Sequence, residues 1–383
     1  MVSRLQEERS RRQARSSGSN RAPTRAAAAG AGELALEVLA APGPPQRAIF
    51  GHLKQSDRMK LGSTCTNLRL ASLAWFRHVT VTVQPYQTDM ASLSAWLKRH
   101  QASVHVGFVE QFDSVKHAHG TSEVEWDDNL TALPSSLITS LSLFTPLGIH
   151  NRVLPTAVSS LTALTELEFI AINDAGVEWD GQEDDSLPFS ISANHLRQLT
   201  RLRKLCLGHR NMSGNAEELL SLPALAGLQV LELTWCSLQA MPRALSALTE
   251  LTGLSLSGSV ITATAPLATL QRLQSLVLSS CNLTAVPEQR LQLQYLNLRG
   301  CRLTAVPGQL SAMTALTCLD LSINGLESGW QPLQLPHLRK LHLTPSWLPG
   351  GQVPPVLANL RDLQVIEDTE AQAILEIAFE AYL

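Results

Sequence analysis

Charge and aromatic residues are both scarce in this chain, at 16% and 5% of 383 residues, and its six cysteines include no C-x-x-C pair. Without paired cysteine spacing there is no zinc ribbon and no disulfide framework to read, and with no signal peptide recognisable we expect a reduced, intracellular protein. No stretch of eighteen uninterrupted apolar residues occurs, so a membrane span is not expected. Also missing are a phosphate-cradling glycine loop, a nucleophile elbow and a metal signature. His117 and His119 form an H-x-H pair near Asp127 and Asp128, but a metal site needs a further placed ligand, and solvated loop histidines are the plainer reading. Glu178, Asp180, Glu183, Asp184 and Asp185 lack the spacing of a calcium loop. We therefore expect no enzymatic activity, no cofactor and no metal.

What the chain has is leucine, at fixed intervals. The segments LQVLELTWCSL, LQSLVLSSCNL, LQYLNLRGCRL, LTCLDLSINGL and LRKLHLTPSWL share leucine at positions 1, 4, 6 and 11. Counted from the position-4 leucines Leu205, Leu231, Leu254, Leu276, Leu296, Leu319, Leu341 and Leu363, the period is 26, 23, 22, 20, 23, 22 and 22 residues. This is the leucine-rich-repeat phrase. Leucines at positions 4 and 6 fall on one face of a short strand, and the residues between them fall on the other. One unit cannot bury its leucines alone, so neighbours must stack around a shared core. The expected fold class is α/β: a horseshoe solenoid with a parallel sheet on its concave face and a small helical segment at the N-terminus. Position 9 holds Cys236, Cys281, Cys301 and Asn324, whose side chains are expected to turn inward and satisfy backbone groups of the turn. Met241-Pro242, Val286-Pro287 and Val306-Pro307 follow position 11, so the outer segments there should be extended or single 3₁₀ turns. NAEELLSL reads instead as a helix capped by Asn215.

The chain divides by composition into four parts. Residues 1–32 carry seven arginines against Glu7 and Glu8, which gives +5; the whole chain is −3, so the remainder carries −8. This segment reads as a disordered tail, with an organelle transit peptide and a nuclear-import or anionic-surface patch as the alternatives. Residues 33–83 lack the leucine phrase and read as short helices, one of them capped by Ser56. Residues 84–368 hold about ten to eleven repeats, a surface insertion between Val109 and Leu130, and an acidic insertion near 174–188. Residues 369–383 form an amphipathic stripe expected to be a helix capping the last repeat.

The run RAIFGHLKQSDRMKLGSTCTNLRLASLAWFRHVTV resembles an F-box through Ile49-Phe50, Leu53, Asp57-Arg58, Leu61, Thr64-Cys65, Leu68-Arg69 and the closing Trp75, with Ala41-Pro42 where such modules open on Leu-Pro. The resemblance implies a small three-helix fold whose Pro42, Ile49, Phe50, Leu53, Leu61 and Trp75 dock a Skp-type adaptor of a cullin-based ubiquitin ligase, through residues 41–80. The other reading of this segment is a helical cap on the open end of the solenoid.

The binding surface is expected on the concave sheet, at positions between and just after the leucines: Phe144, Glu168, His209, Arg210, Glu232, Trp235, Asn297, Arg299, Asp320, Ile323 and His342. Trp235 and Arg299 are the leading anchors, because aromatic and arginine side chains on a rigid sheet dominate protein interfaces. A mildly acidic folded part argues against nucleic acid. We expect a substrate-recognition subunit of an SCF-like ligase that binds a protein target, cytoplasmic and monomeric outside its complex, with nuclear, cytoskeletal and organellar locations open. The alternative is a scaffold in a signalling or cytoskeletal and axonemal assembly with no ubiquitin role.

Overall fold

Leucines of successive copies lie side by side, as the phrase requires. The computed structural model describes residues 52–64, 68, 72, 75–84, 88–109, 123–146, 153–172, 191–261, 263–283, 286, 292–329, 335–344, 348, 357 and 364–366. The N-terminal tail, Pro42, Ile49, Phe50, the H-x-H pair, the acidic insertion and the C-terminal stripe lie outside these. Two units are distinguished, residues 1–77 with 99–101 and residues 78–98 with 102–383. In the first, helix α1 spans Gln55–Ser63. Its N-cap is Lys54, with no side-chain hydrogen bond, so Ser56 lies inside the helix and does not cap it. Leu53 and Leu61 are half-buried and Trp75 is buried. Phe76 meets His100 edge to face, with 5.8 Å between ring centroids.

The second unit is one parallel sheet of twelve strands in strict chain order. The strands are β1 His78–Val83, β2 Ser103–Val109, β3 Ile138–Pro146, β4 Glu166–Ile172, β5 Lys204–Gly208, β6 Val230–Thr234, β7 Gly253–Ser255, β8 Ser275–Val277, β9 Tyr295–Asn297, β10 Cys318–Asp320, β11 Lys340–His342 and β12 Gln364–Ile366. Leu205, Leu231, Leu254, Leu276, Leu296, Leu319 and Leu341 are partners in register from β5 to β11. All seven are fully buried, each contributing about 1.5–3 kcal/mol on transfer from water. The ladder is cooperative for this reason: removing one leucine side chain leaves a cavity against the repeats on both sides, at a cost of about 2–5 kcal/mol.

Three features differ from the sequence expectation. The sheet begins at β1, inside the segment read as helical, because His78–Val83 alternates buried and exposed side chains and pairs with β2 along its whole length. Part of the stretch read as a surface insertion is helix α3, Glu123–Ala132, which buries Trp126 and Leu130; it follows helix α2, Met90–His100. In the last pair the partner of Leu341 is Val365, two residues on from the position the leucine count assigns. A slip of two preserves which face each side chain takes, so the pattern alone does not distinguish the registers.

Outer segments follow the proline signals where they are described. Pro242 and Pro307 immediately precede 3₁₀ turns at Arg243–Ala247 and Gly308–Ala312. Helix α4, Ala193–Leu196, opens on a capping box of Ser192 and His195. Helix α5, Ala216–Leu220, follows Asn215, but the asparagine does not cap it; its Nδ2 donates to the Ile191 carbonyl at 2.6 Å. At the start of α2, Asp89 does cap, accepting from the amides of Ala91 and Ser92 at 3.1 Å each. The Ser92 hydroxyl and these amides hold its carboxyl below the usual range.

A second kind of cap joins one repeat to the next. Asp127 on α3 accepts the Ala157 amide at 2.7 Å, at the start of the next repeat's 3₁₀ turn. Glu217 on α5 likewise accepts the amides of Arg243 and Ala244 at 2.6 and 2.9 Å. The first amides of a helical turn have no partner within it, so each carboxylate neutralises a neighbour's exposed donors.

Candidate functional site

Position 9 fixes the turn that follows each strand, and through it the face the sheet presents. Cys236, Cys281 and Cys301 donate their thiols to the carbonyls of Leu207, Leu256 and Leu278 in the preceding repeat, at 3.3, 3.3 and 2.9 Å. Asn324 does more: its Nδ2 reaches the carbonyls of Leu298, Leu321 and Ser322, and its Oδ1 accepts the Leu303 amide. Position 8 then takes a left-handed conformation in six consecutive copies, at His209, Trp235, Gly258, Ser280, Gly300 and Ile323, with φ between 52° and 69°. Chirality makes this costly except for glycine, and in the copies of Trp235, Ser280, Gly300 and Ile323 the inward bonds at position 9 hold it in place.

Side chains at positions 3, 5, 7 and 8 face away from the leucine core, and from β3 to β9 they enclose a groove of about 560 Å³. Its depth comes from small residues. Ser255, Ser257, Val277 and Ser279 form the floor on β7, β8 and the turns after them, between taller walls. Ser279 donates its hydroxyl to Ser257 at 2.8 Å, and Ser255 and Ser257 are 3.3 Å apart, so the floor is a linked row of hydroxyls.

One wall carries acid and aromatic groups. Lys204 and Glu168 form an ion pair at 3.1 Å, Ser142 donates to the same carboxylate at 2.7 Å, and Glu232 lies on the next strand. The rings of His209 and Trp235 stack at 6.2 Å, 8° from parallel. The indole lies across Gly258, where an added Cβ would sit 2.3 Å from its ring. The opposite wall is β9, with Tyr295, Asn297 and Arg299. Here Asn297 Oδ1 accepts the Arg299 amide at 2.9 Å, and Arg299 Nη1 donates to the Ser322 hydroxyl at 3.0 Å.

Of the eleven residues expected on this face, Phe144, Glu168, His209, Glu232, Trp235, Asn297 and Arg299 line the groove. Arg210 does not. Counted from Leu202 it occupies position 9 of its copy, and so turns inward: its guanidinium lies 3.9 Å over the Phe169 ring and donates to Thr145 Oγ1 at 2.5 Å. Asp320 and His342 stand at position 5 of β10 and β11 but are fully buried, and Ile323 is a half-buried turn residue; none of the three borders the groove. Lys204, Ile170, Thr234, Tyr295 and the floor serines were not foreseen. The register held the signal for them, since positions 3, 5 and 7 can be counted from any leucine.

The thiols in this region are structural. Burial pushes Cys281 up to about 11, with Ser259 and Gly258 opposing, and Cys301 and Cys318 up to about 12. Burial, then the nearby Glu232, holds Cys206 far above the ordinary thiol range. Among the described residues no group of three His, Cys, Asp or Glu could hold a metal ion, and no helix is long and apolar enough to cross a membrane.

Residues 292–313, a single repeat, match the family described as Leucine Rich Repeat. No curated protein matches the sequence. Solved structures similar to this chain include a leucine-rich-repeat protein of Leptospira interrogans, at 20% identity over 70% of this chain and 68% of that one, with a TM-score of 0.46. An internalin of Listeria monocytogenes aligns at 14% identity over 81% and 93%, with a TM-score of 0.42. The Arabidopsis receptor kinase HAESA, solved with a peptide hormone and a co-receptor, aligns at 22% identity over 59% and 38%, with a TM-score of 0.40.

Proposed function

We propose that this solenoid of leucine-rich repeats is a protein-recognition module whose groove, from β3 to β9, seats a segment of a protein partner. The observation that carries the reading is the groove's construction: a floor of linked serines between a wall holding stacked His209 and Trp235 and a wall holding Arg299. The walls are set on a parallel ladder, so the anchoring side chains lose little freedom when a partner binds. Aromatic and arginine side chains in such a setting supply most of the affinity of an interface.

The finer reading is a substrate-recognition subunit of a cullin-based ubiquitin ligase. In that role the F-box-like segment, residues 41–80, holds a Skp-type adaptor while the groove presents a target, and the chain itself makes no bond. Its support is the sequence resemblance alone. The competing role is a scaffold with no adaptor.

One experiment separates these readings. Affinity capture of cellular proteins is run with wild type, Trp235→Ala and Ile49→Asp. The ligase reading expects Ile49→Asp to lose the adaptor and keep the target, and Trp235→Ala to lose the target and keep the adaptor. A target lost in Trp235→Ala with no adaptor in any sample leaves the scaffold role; a target retained in Trp235→Ala removes the groove from either.

A further inference from the structure

Beyond the groove's far wall lies a buried polar relay that the recognition role does not by itself require. Arg299 Nη1 donates to Ser322 Oγ at 3.0 Å, and Ser322 Oγ donates to Asp320 Oδ1 at 2.6 Å, where the Ser322 amide also arrives at 2.8 Å. Asp320 on β10 is the register partner of His342 on β11, at the same position of the phrase and on the same face. Both are fully buried. Asp320 Oδ2 and His342 Nδ1 find no hydrogen-bond partner among the described residues. A buried carboxylate beside a buried imidazole, each with an unmet polar atom, has a high demand for a proton, and an arginine at the end of the relay feels the change.

We propose that Arg299 anchors an acidic side chain of the protein partner in the groove, and that the buried Asp320 and His342 pair strengthens this grip in acid. The proposal rests on the reading that the groove seats a protein segment.

The charges around the pair set the direction. Burial raises the Asp320 carboxyl, against the Ser322 hydrogen bonds and the nearby His342 and Arg299. Burial lowers His342, with Asp320 opposing and Lys340 and Arg299 adding to it. Cys318 on β10 stays a neutral thiol, pushed up to about 12 by burial, and β12 is Gln364, Val365 and Ile366, none of them ionisable. With Asp320 as the anion and His342 neutral, the relay through Ser322 balances the Arg299 guanidinium. Acidification adds one proton to the pair. On Asp320 it removes the anion that draws on Arg299 through Ser322; on His342 it adds a cation beside that anion. Either outcome leaves the Arg299 end of the groove more positive, so the result is independent of which atom takes the proton.

Charge complementarity extends to the other wall. Glu232 on β6 is three strands from β9, about 14 Å at ordinary strand spacing, which an extended chain crosses in about four or five residues. A segment with a basic residue over Glu232 and an acidic one that far along, over Arg299, matches both walls.

The probe is a dye-labelled, end-blocked peptide of about six residues, with lysine first, glutamate last and serine and alanine between. A companion carries glutamine for the glutamate. Both are titrated against the full chain by fluorescence anisotropy at about pH 7.5 and about pH 5.5, where the peptide's glutamate remains mostly ionised. The glutamate peptide should bind about five- to tenfold tighter in acid, while the companion is unchanged. Arg299→Gln should make the two peptides equal. Asp320→Asn, which keeps the acceptor oxygen but not the charge, should bind the glutamate peptide tightly at both pH values. His342→Gln leaves Asp320 to titrate alone and should move the midpoint of the acid response downward; it also serves if circular dichroism shows Asp320→Asn unfolded. Acid tightening that survives in Asp320→Asn would place the sensor elsewhere, at a groove residue such as His209, and overturn the proposal. Equal binding of both peptides by wild type would overturn it while leaving the groove intact, whereas no binding of either would remove the groove reading along with it.

Discussion

Gly258 and Gly300 occupy the same position of the phrase and the same left-handed conformation, at φ +69° and +63°, yet differ in what a side chain there would meet. At Gly300 the nearest atom to an added Cβ is Ser280 Oγ at 3.6 Å, ordinary contact. At Gly258 it is the Trp235 indole, whose Cδ2 and Cε3 would lie at 2.3 and 2.4 Å. Gly300→Ala therefore incurs only the conformational cost, about 1–2 kcal/mol. Gly258→Ala incurs the same cost and must also push Trp235 off its seat, an overpacking term of about 1–3 kcal/mol. Urea denaturation followed by circular dichroism should show Gly258→Ala less stable than Gly300→Ala by that second amount. In a Trp235→Ala background the obstacle is gone, and Gly258→Ala should fall to the Gly300→Ala value. Because the indole also stacks on His209, displacement should weaken partner binding in Gly258→Ala and not in Gly300→Ala. Equal destabilisation by the two alanines, or an excess at Gly258 that persists without Trp235, would show that the glycine is not what positions the indole.

Asn324→Ala strands the Leu303 amide and three carbonyls that Asn324 now serves, and should cost about 2–4 kcal/mol in chemical denaturation; Asn324→Cys, the residue used in three other copies, should recover part of it. Glu217→Ala exposes two amides of the next repeat's 3₁₀ turn and should cost about 1 kcal/mol, visible as faster hydrogen exchange at Arg243 and Ala244. Cys281, Cys301 and Cys318 need pH near 11 to 12 to ionise while folded, so alkylation by iodoacetamide at pH near neutrality, followed by peptide mass spectrometry, should leave them unmodified until denaturant is added; modification of the native chain at these sites would show that they are not held as the geometry requires.

The repeat was legible because burial on one face of a short strand forces a period of two within the strand, and stacking forces a period of about twenty-three residues between strands. Both are properties of leucine placement, which a sequence displays directly. The proline signals for 3₁₀ turns were legible for a related reason, since a missing amide and a fixed φ act locally. β1 was not, because His78–Val83 alternates valine with threonine and carries no leucine at all, while the F-box-like pattern upstream claimed the same residues. The two carboxylates that cap a neighbouring repeat were equally hidden: Asp127 and Glu217 serve amides thirty and twenty-six residues away, and no local pattern joins them.

Arg210 shows how far the register of the phrase determines where a side chain goes. Its copy runs Leu202, Leu205, Leu207, Met212, which puts Arg210 at position 9, the place of Cys236, Cys281, Cys301 and Asn324. Chemical type argued for the surface, since a guanidinium is rarely buried, whereas the count argued for the turn's interior. The interior wins because two partners offset the desolvation: the Phe169 ring face accepts the cation, and the Thr145 hydroxyl takes one N–H. The same comparison applies to Asp320 and His342, at position 5 of their copies. Counting assigns them to the face opposite the leucines, and there they lie; it does not assign exposure, which depends on the side chains around them. Position in the phrase thus fixes direction, and only the neighbours fix whether that direction ends in solvent.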